Sequence, residues 1–374
     1  MRVLVTGGGT GGHIYPALAI MKGIRAGYPE AEILFVGNAK GLEAEIVPRE
    51  GFAFRSVTVQ GLPRKMTRVF RVAKALFMTC KGCCESYKLL KEFKPTVVIG
   101  TGGYVCFSIV MIAAFLRIPT LIQEQNALPG RANRVLARVA SKVAVAFPES
   151  QEYFTPKADI VVTGLPVRTE ILSKDRDSGL KAFDLDKHKF TILGTGGSQG
   201  ARSLNKAMVE VIAEVGNDQG IQIIHVTGPA GYENTVKELK ARGIDPDNCK
   251  NIVLKPYLYN MDEALAAANL VVCRAGATTI AEITVRGLPS ILIPYPYAAN
   301  NHQEYNAMAL VKNGAALMLN DRDISGPRLW KELRGLLLDN ARLTQMAQKA
   351  KQLGKPHAVQ HLVQMVGELN RNKY

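Results

Sequence analysis

The sequence predicts an α/β protein built from two doubly wound, parallel-sheet domains, and three observations carry that reading. Short apolar strands alternate with helical stretches along most of the chain. Twice, a strand runs straight into a glycine-rich loop and then a helix: Arg2–Thr6 into Gly7-Gly8-Gly9-Thr10-Gly11-Gly12-His13, and Phe190–Leu193 into Gly194-Thr195-Gly196-Gly197-Ser198-Gln199-Gly200. The chain has 374 residues, enough for two domains with a core each.

In the first half, strands are expected at Val3–Thr6, Glu32–Val36, Thr96–Gly100, Pro119–Ile122, Lys142–Ala146 and Asp159–Thr163. Runs such as Val97-Val98-Ile99 are apolar on both sides of the pleat, which calls for a parallel sheet covered on both faces. The intervening helices are expected at Pro16–Ala26, Gly41–Glu50, Val69–Glu92, Phe107–Leu116 and Gly130–Ala140. Gly164-Leu165-Pro166-Val167 and the polar stretch Ser173–Lys189 then read as a hinge with an insertion.

A second series starts at Phe190, with strands at Gln222–Thr227, Asn251–Leu254, Leu270–Cys273 and Ser290–Ile293. Its helices are expected at Ala201–Val215, Gly231–Arg242, Met261–Ala268, Thr279–Arg286, Gln303–Lys312 and Pro327–Leu338. The amphipathic tail His357–Leu369 is expected to cross back onto the first domain. The expected division is therefore 1–167, 168–354 and a returning helix in 355–374. Ligands of such sheets bind at the carboxyl ends of the strands, so a cleft between the two domains is the expected site.

Composition narrows the class. Hydrophobic residues make up 47% of the chain, as in ordinary globular proteins. The N-terminus opens on a strand, without a basic-then-apolar signal segment. The uncharged stretch Tyr104–Leu116 is too short to span a bilayer, which takes roughly 20 residues. A cytoplasmic protein without a membrane-crossing helix is expected. Six cysteines are present; Cys80, Cys83 and Cys84 could form half a metal site, but no second pair follows at suitable spacing. Reduced thiols on a helix face are the simpler reading.

The formal net charge is +15, which points to an acidic partner: nucleic acid, an anionic membrane or a phosphorylated substrate. Nine basic residues fall between Arg64 and Lys94, against Glu85 and Glu92. Met66, Val69, Phe70, Val72, Leu76, Phe77 and Met78 are interleaved with them. That mixture describes a helix lying on an anionic membrane surface better than a nucleic-acid groove, and a solvated basic face is the plainer alternative. Aromatic stacking platforms and nucleic-acid motifs are missing, so no nucleic-acid partner is expected.

Glycine loops at helix N-termini present backbone N–H groups and partial positive charge to an anion. Gly7, Gly9 and Gly12 satisfy the dinucleotide pattern, but the second strand ends Phe35-Val36-Gly37-Asn38, without the acidic residue that would hold a ribose. The dinucleotide reading is rejected. His13, at the mouth of the first helix, suits contact with a reacting hydroxyl or a phosphate. Gly102, Gly103 and Tyr104 form a third strand-to-helix turn at the same rim, either a tight turn or part of the binding surface. Gln123-Glu124-Gln125-Asn126 adds polar groups after another strand. In the second half, Ala277, Thr278 and Thr279 open a helix after a strand, and Asn300-Asn301-His302-Gln303 offers amides to sugar hydroxyls.

The ordered segments GGGTGGHIYPALA, GTGGY, QEQNALPGRAN, GLPVR, GTGGSQGARSLN, CRAGATTIAE and NNHQEYNA closely resemble the undecaprenyldiphospho-muramoylpentapeptide β-N-acetylglucosaminyltransferases of peptidoglycan synthesis. The resemblance covers nearly the whole chain. It implies a GT-B architecture of two Rossmann-like domains and an inverting transfer from UDP-N-acetylglucosamine to lipid I, giving lipid II. It also places the protein peripherally on the cytoplasmic face of the bacterial plasma membrane.

By that resemblance, Thr10, Gly11 and Gly12 lie beside the donor's sugar and diphosphate, with Asn126 near the sugar hydroxyls. Arg168 and Ser198 contact the nucleotide or its phosphates. Ala277, Thr278, Thr279, Ile280, Ala281 and Glu282 hold the UDP moiety, with Glu282 on the ribose. Leu258 borders the uracil, where a backbone contact carries over. Gln303 and His302 read the sugar, although His302 stands where the family motif carries glutamine.

The reaction needs a base for the acceptor hydroxyl and positive potential for the departing diphosphate. His13 is the expected base, since imidazole titrates near neutral pH. Helix N-termini after Gly197 and Gly276, with Arg168, can meet the second need. No cofactor is expected, and no aspartate pair calls for a divalent metal. The rival readings are a UDP-sugar-dependent diacylglycerol glycosyltransferase, a non-catalytic UDP-sugar sensor, and a basic nucleic-acid-binding protein.

Overall fold

A computed structural model describes residues 1–58, 69–216 and 220–371, and for residues 69–80 the backbone alone. The chain divides into two compact units, Met1–Val167 with His357–Tyr374, and Arg168–Pro356.

The first unit runs β1 (Arg2–Thr6), α1 (Gly11–Gly27), β2 (Glu32–Gly37), α2 (Glu43–Arg49), β3 (Ala53–Ser56), α3 (Val69–Phe93), β4 (Val97–Gly100), α4 (Tyr104–Phe115), β5 (Thr120–Glu124), α5 (Arg131–Leu136), β6 (Lys142–Val145) and β7 (Ile160–Val162). All pairings are parallel, in the order β3-β2-β1-β4-β5-β6-β7. The order reverses direction between β1 and β4, so the helices that follow those two strands, α1 and α4, cover opposite faces of the sheet.

Two cores cover the sheet. On one face, Val3, Val5 and Ile99 pack with Ile14, Ile20 and Met21 of α1. On the other, Leu4 and Val98 pack with Val105, Ile109 and Val110 of α4.

The second unit runs α6 (Thr169–Ser173), α7 (Arg176–Ala182), β8 (Phe190–Thr195), α8 (Arg202–Val215), β9 (Ile221–Val226), α9 (Pro229–Ala241), β10 (Ile252–Lys255), α10 (Met261–Ala267), β11 (Leu270–Cys273), α11 (Ala277–Arg286), β12 (Ser290–Leu292), α12 (His302–Lys312), β13 (Ala316–Met318), α13 (Gly326–Leu338) and α14 (Asn340–Leu353). Its six strands are also parallel, ordered β10-β9-β8-β11-β12-β13, with the reversal between β8 and β11. The last helix, α15 (Ala358–Arg371), belongs to the first unit, where Leu362, Met365, Val366 and Leu369 join the core beside α1.

The structure corrects several expectations. Ser173–Lys189 is not an irregular insertion: α7 lies in it, capped by Asp175, which accepts the Ser178 N–H at 2.7 Å. Helix α7 packs so closely on α10 that a Cβ at Gly179 would lie 2.5 Å from the Glu263 carbonyl oxygen. Strands β3 and β13 and helix α14 escape the sequence reading. The sheet-edge strand β3 is mostly exposed and shows no alternation of polar and apolar residues.

The basic, apolar segment Arg64–Lys94 lies partly outside the described residues: Arg64, Lys65, Met66 and Arg68 wholly, and the side chains of residues 69–80. Cys80 is among the latter. Cys83 is half-buried and Cys84 is exposed. Among the described residues, no helix is long and apolar enough to cross a membrane.

Candidate active site

In the first unit, chemistry gathers where β1 and β4 lie side by side. Helix α1 begins at Gly11 rather than Pro16, so Gly11, Gly12 and His13 form its first turn. The N–H groups of Gly11 and Gly12 lack carbonyl partners within the helix, while the His13 N–H donates to the Thr10 carbonyl at 3.1 Å. Pro16 sits in the second turn of α1, where proline has no N–H to give the Gly12 carbonyl and one helical hydrogen bond is missing. Thr10 precedes the helix in an extended conformation, its side chain exposed and not used as a cap.

The loop after β4 is fitted against this turn. Gly102 and Gly103 have φ of 103° and 83°, a region that side chains rarely adopt. A Cβ at Gly103 would lie 2.5 Å from the Gly8 carbonyl oxygen, and one at Gly102 3.1 Å from His13 Nε2. Thr101 Oγ1 donates to the His13 carbonyl at 2.9 Å. The His13 ring bonds through Nδ1 to the Gly8 carbonyl at 2.9 Å, with Thr10 Oγ1 at 3.3 Å. Tyr104 opens α4 and is exposed beside Gly9.

Only one residue of Gln123-Glu124-Gln125-Asn126 reaches the rim: the first three are buried. Glu124 accepts from the Asn126 N–H at 2.9 Å, the Gly130 N–H at 3.0 Å and Asn133 Nδ2 at 2.8 Å. Gln125 Nε2 donates to the Thr101 carbonyl at 2.6 Å, which ties this segment to the β4 loop. The buried network thus fixes the half-buried Asn126. That Glu124 turns inward onto Asn133 was not legible in the sequence, because nothing local in a polar run tells which members turn inward.

The second unit repeats the plan. After β8 the chain turns through Gly196–Gly200, with Ser198 exposed at the tip, and α8 starts at Arg202. After β11, Gly276 caps α11, leaving the N–H groups of Ala277, Thr278 and Thr279 in the first turn. Ile280 points into the core at 2% exposure, so its backbone alone is available to a ligand. Ala281 is half-buried on the same helix. Leu258 is likewise buried, on the loop between β10 and α10.

Glu282 is the chemically unusual group. Its side chain is 13% exposed, with Arg168 Nη2 at 3.7 Å. Burial pushes its carboxyl up to about 7; the Arg168 charge opposes that shift and Asp262 adds to it.

Gln303 Oε1 accepts the Tyr295 N–H at 2.9 Å, which leaves its amide N–H₂ as the group on offer. His302 opens α12 with Nδ1 bonded to the Ala299 carbonyl at 2.8 Å. Asn300 and Asn301, both left-handed with φ of 52° and 57°, turn the chain into that helix. Arg274 braces the rim: it pairs with Asp321 at 2.5 Å and donates to the Ile293 and Pro294 carbonyls at 3.2 Å each. Asn306, fully buried, donates to the Ala275 carbonyl at 3.2 Å. Among the described residues no group of three or more His, Cys, Asp or Glu side chains is placed to hold a metal ion.

Each unit therefore presents two helix N-termini and a set of hydroxyl and amide groups at the carboxyl ends of adjacent central strands. Such a rim suits a phosphate with attached sugars.

Comparison with known proteins gives the family and the fold. Residues 3–145 match the glycosyltransferase family 28 N-terminal domain, and residues 191–362 match the glycosyltransferase family 28 C-terminal domain. Over 369 residues the chain is 50% identical to the UDP-N-acetylglucosamine--N-acetylmuramyl-(pentapeptide) pyrophosphoryl-undecaprenol N-acetylglucosamine transferase of Desulforamulus reducens, covering 99% of both chains. A protein of the same name in Desulfitobacterium hafniense is 50% identical over 363 residues, covering 97% of this chain and 98% of that one. Among solved structures, MurG of Acinetobacter baumannii superposes with a TM-score of 0.79 and 29% identity, covering 98% of this chain and 99% of that one.

Proposed function

The chain belongs to glycosyltransferase family 28, and from that premise we propose that it transfers N-acetylglucosamine from UDP-N-acetylglucosamine to undecaprenyl-diphospho-muramoylpentapeptide, lipid I, forming lipid II. The observation that carries the substrate assignment is the full-length identity to relatives named for this transfer. The diacylglycerol and nucleic-acid readings have no comparable support.

The chemistry follows from the two rims. In the second unit, Ser198 and the first turn of α11 would hold the diphosphate, while Glu282 accepts from the ribose diol and Arg168 adds positive charge. The backbone at Leu258 borders the base, and Gln303 with His302 reads the sugar. In the first unit, Thr10, Gly11 and Gly12 offer hydroxyl and N–H donors, Asn126 contacts sugar hydroxyls, and Gly102, Gly103 and Tyr104 complete the surface.

During transfer the acceptor's C4 hydroxyl oxygen bonds to the anomeric carbon, with inversion. The bond from that carbon to the diphosphate oxygen breaks and its electron pair leaves on UDP. The hydroxyl proton passes to His13 Nε2. Backbone N–H groups aimed at the departing phosphate stabilise the charge that develops there.

Incubation with radiolabelled UDP-N-acetylglucosamine and a lipid I analogue is expected to yield labelled lipid. Label in diacylglycerol alone, or no turnover with either lipid, would sink the assignment.

The basic, apolar sequence from Arg64 to Lys94 supports docking on an anionic membrane surface, where each nearby cation contributes on the order of 1 kcal/mol. Neutralising Arg68, Arg71 and Lys74 together is expected to reduce sedimentation with anionic vesicles. Undiminished sedimentation would remove this segment as the dock.

A further inference from the structure

Glu43, on α2, is fully buried, yet it pairs with no cation among the described residues. Its Oε1 accepts the Asn38 N–H at 3.0 Å and its Oε2 accepts the Gly9 N–H at 3.4 Å. Glycines make the room: a Cβ at Gly8 would lie 2.2 Å from Oε1, and one at Gly41 2.3 Å from Oε2. A carboxylate in such a place is costly unless its bonds do something that water could not.

The Gly9 N–H belongs to the peptide group joining Gly8 to Gly9. The carbonyl of that same peptide bonds to His13 Nδ1 at 2.9 Å. A carbonyl oxygen only accepts, so Nδ1 carries the proton and Nε2 is left with the lone pair. One peptide plane therefore has a carboxylate on its N–H and an imidazole on its oxygen. The carboxylate draws on the N–H and enriches the oxygen in negative charge, which strengthens the Nδ1–H bond.

We propose that Glu43 is a positioning residue for His13: acting through the Gly8–Gly9 peptide, its carboxylate holds the ring in the tautomer that leaves Nε2 free to take the acceptor's proton. The arrangement does the work of a carboxylate placed directly on a catalytic histidine, with a peptide group between them. It rests on the reading of His13 as base. It also gives Gly8 and Gly41 a reason to be glycine that anion binding alone does not supply.

The test uses the full chain with Glu43→Gln, which keeps an accepting oxygen without charge, and Glu43→Ala, which keeps neither. Nitrogen-15 spectra of histidine-labelled protein, with the His13 signals assigned by their loss in His13→Ala, read the tautomer directly. The Nδ1–H form is expected to dominate in the native chain, to mix with the other tautomer in Glu43→Ala, and to be partly retained in Glu43→Gln. With Glu43→Ala, kcat is expected to fall roughly 10-fold or more while the KM for UDP-N-acetylglucosamine stays within about two-fold. In a His13→Ala background, Glu43→Gln is expected to add no further loss, because its effect passes through the imidazole.

An unchanged tautomer in both Glu43 variants, or an equal fractional loss with and without His13, overturns the proposal; where Glu43→Ala does not fold, Glu43→Gln alone decides. If His13→Ala stays within a few-fold of the native rate while the Glu43 variants still mix the tautomers, the linkage is supported and the base assignment falls.

Discussion

At the Glu282 carboxylate, burial outweighs the neighbouring charge. Arg168 is half exposed, so solvent screens its pull, and desolvation raises the carboxyl to about 7 from an ordinary 4.5. The folded group binds its proton more tightly than the unfolded one, so its contribution to stability falls as the pH rises between those two values. Ribose hydroxyls donating to the ionised form would reverse the preference. UDP binding at pH 6 is therefore expected to release a proton, read by calorimetry in buffers of different ionisation enthalpy, and Glu282→Gln is expected to abolish the release. Proton-neutral binding by the native chain would take the ribose off Glu282. Read from sequence without the family resemblance, Glu282 is an ordinary solvated helix residue. Its burial beside Asp262 depends on α10, some twenty positions upstream. Glu43 and Glu124 were illegible for the same reason: a carboxylate's surroundings are a property of other segments.

Among the elements, strand-to-helix junctions were the most legible, because a glycine with positive φ is a local demand. Gly200 has φ of 75°, and a Cβ there would lie 2.0 Å from the Thr227 carbonyl oxygen. Gly200→Ala must leave the left-handed region or push the β9 loop away; the conformational part alone costs about 1–2 kcal/mol. It is expected to weaken UDP binding on the order of 10-fold, measured by titration calorimetry. Undiminished affinity would show that the Ser198 loop does not hold the nucleotide. Helix starts were read late at α1, α4 and α11, where glycine (Gly11, Gly12) or aromatic and β-branched residues of lower helical propensity (Tyr104, Val105, Thr278) stand in the first turn. Helix α7 was missed because its partner is α10, and neither Gly179 nor the polar residues around it advertise a buried face.

Over the whole molecule, two sheets build separate cores, and the chain's last helix completes the first of them. Leu362, Met365, Val366 and Leu369 of α15 are at most 5% exposed. At roughly 2 kcal/mol each their burial is worth about 8 kcal/mol, comparable to the entire stability of a domain. A chain ending at Pro356 is expected to lose the cooperative thermal transition of the first unit while still binding UDP through the second. Two intact transitions in calorimetry would show that α15 is dispensable.

Strand periodicity, helix periodicity and the positions of glycine are written along the chain, so the sequence by itself determined two parallel α/β sheets with glycine-rich loops at their strand ends. Strand order was decided only in three dimensions. It set β1 beside β4 and β8 beside β11, brought the β4 loop onto His13, and chose which acidic side chains lost their water. Pairing between strands dozens of residues apart is settled by the packing of the whole sheet, and no local pattern carries it.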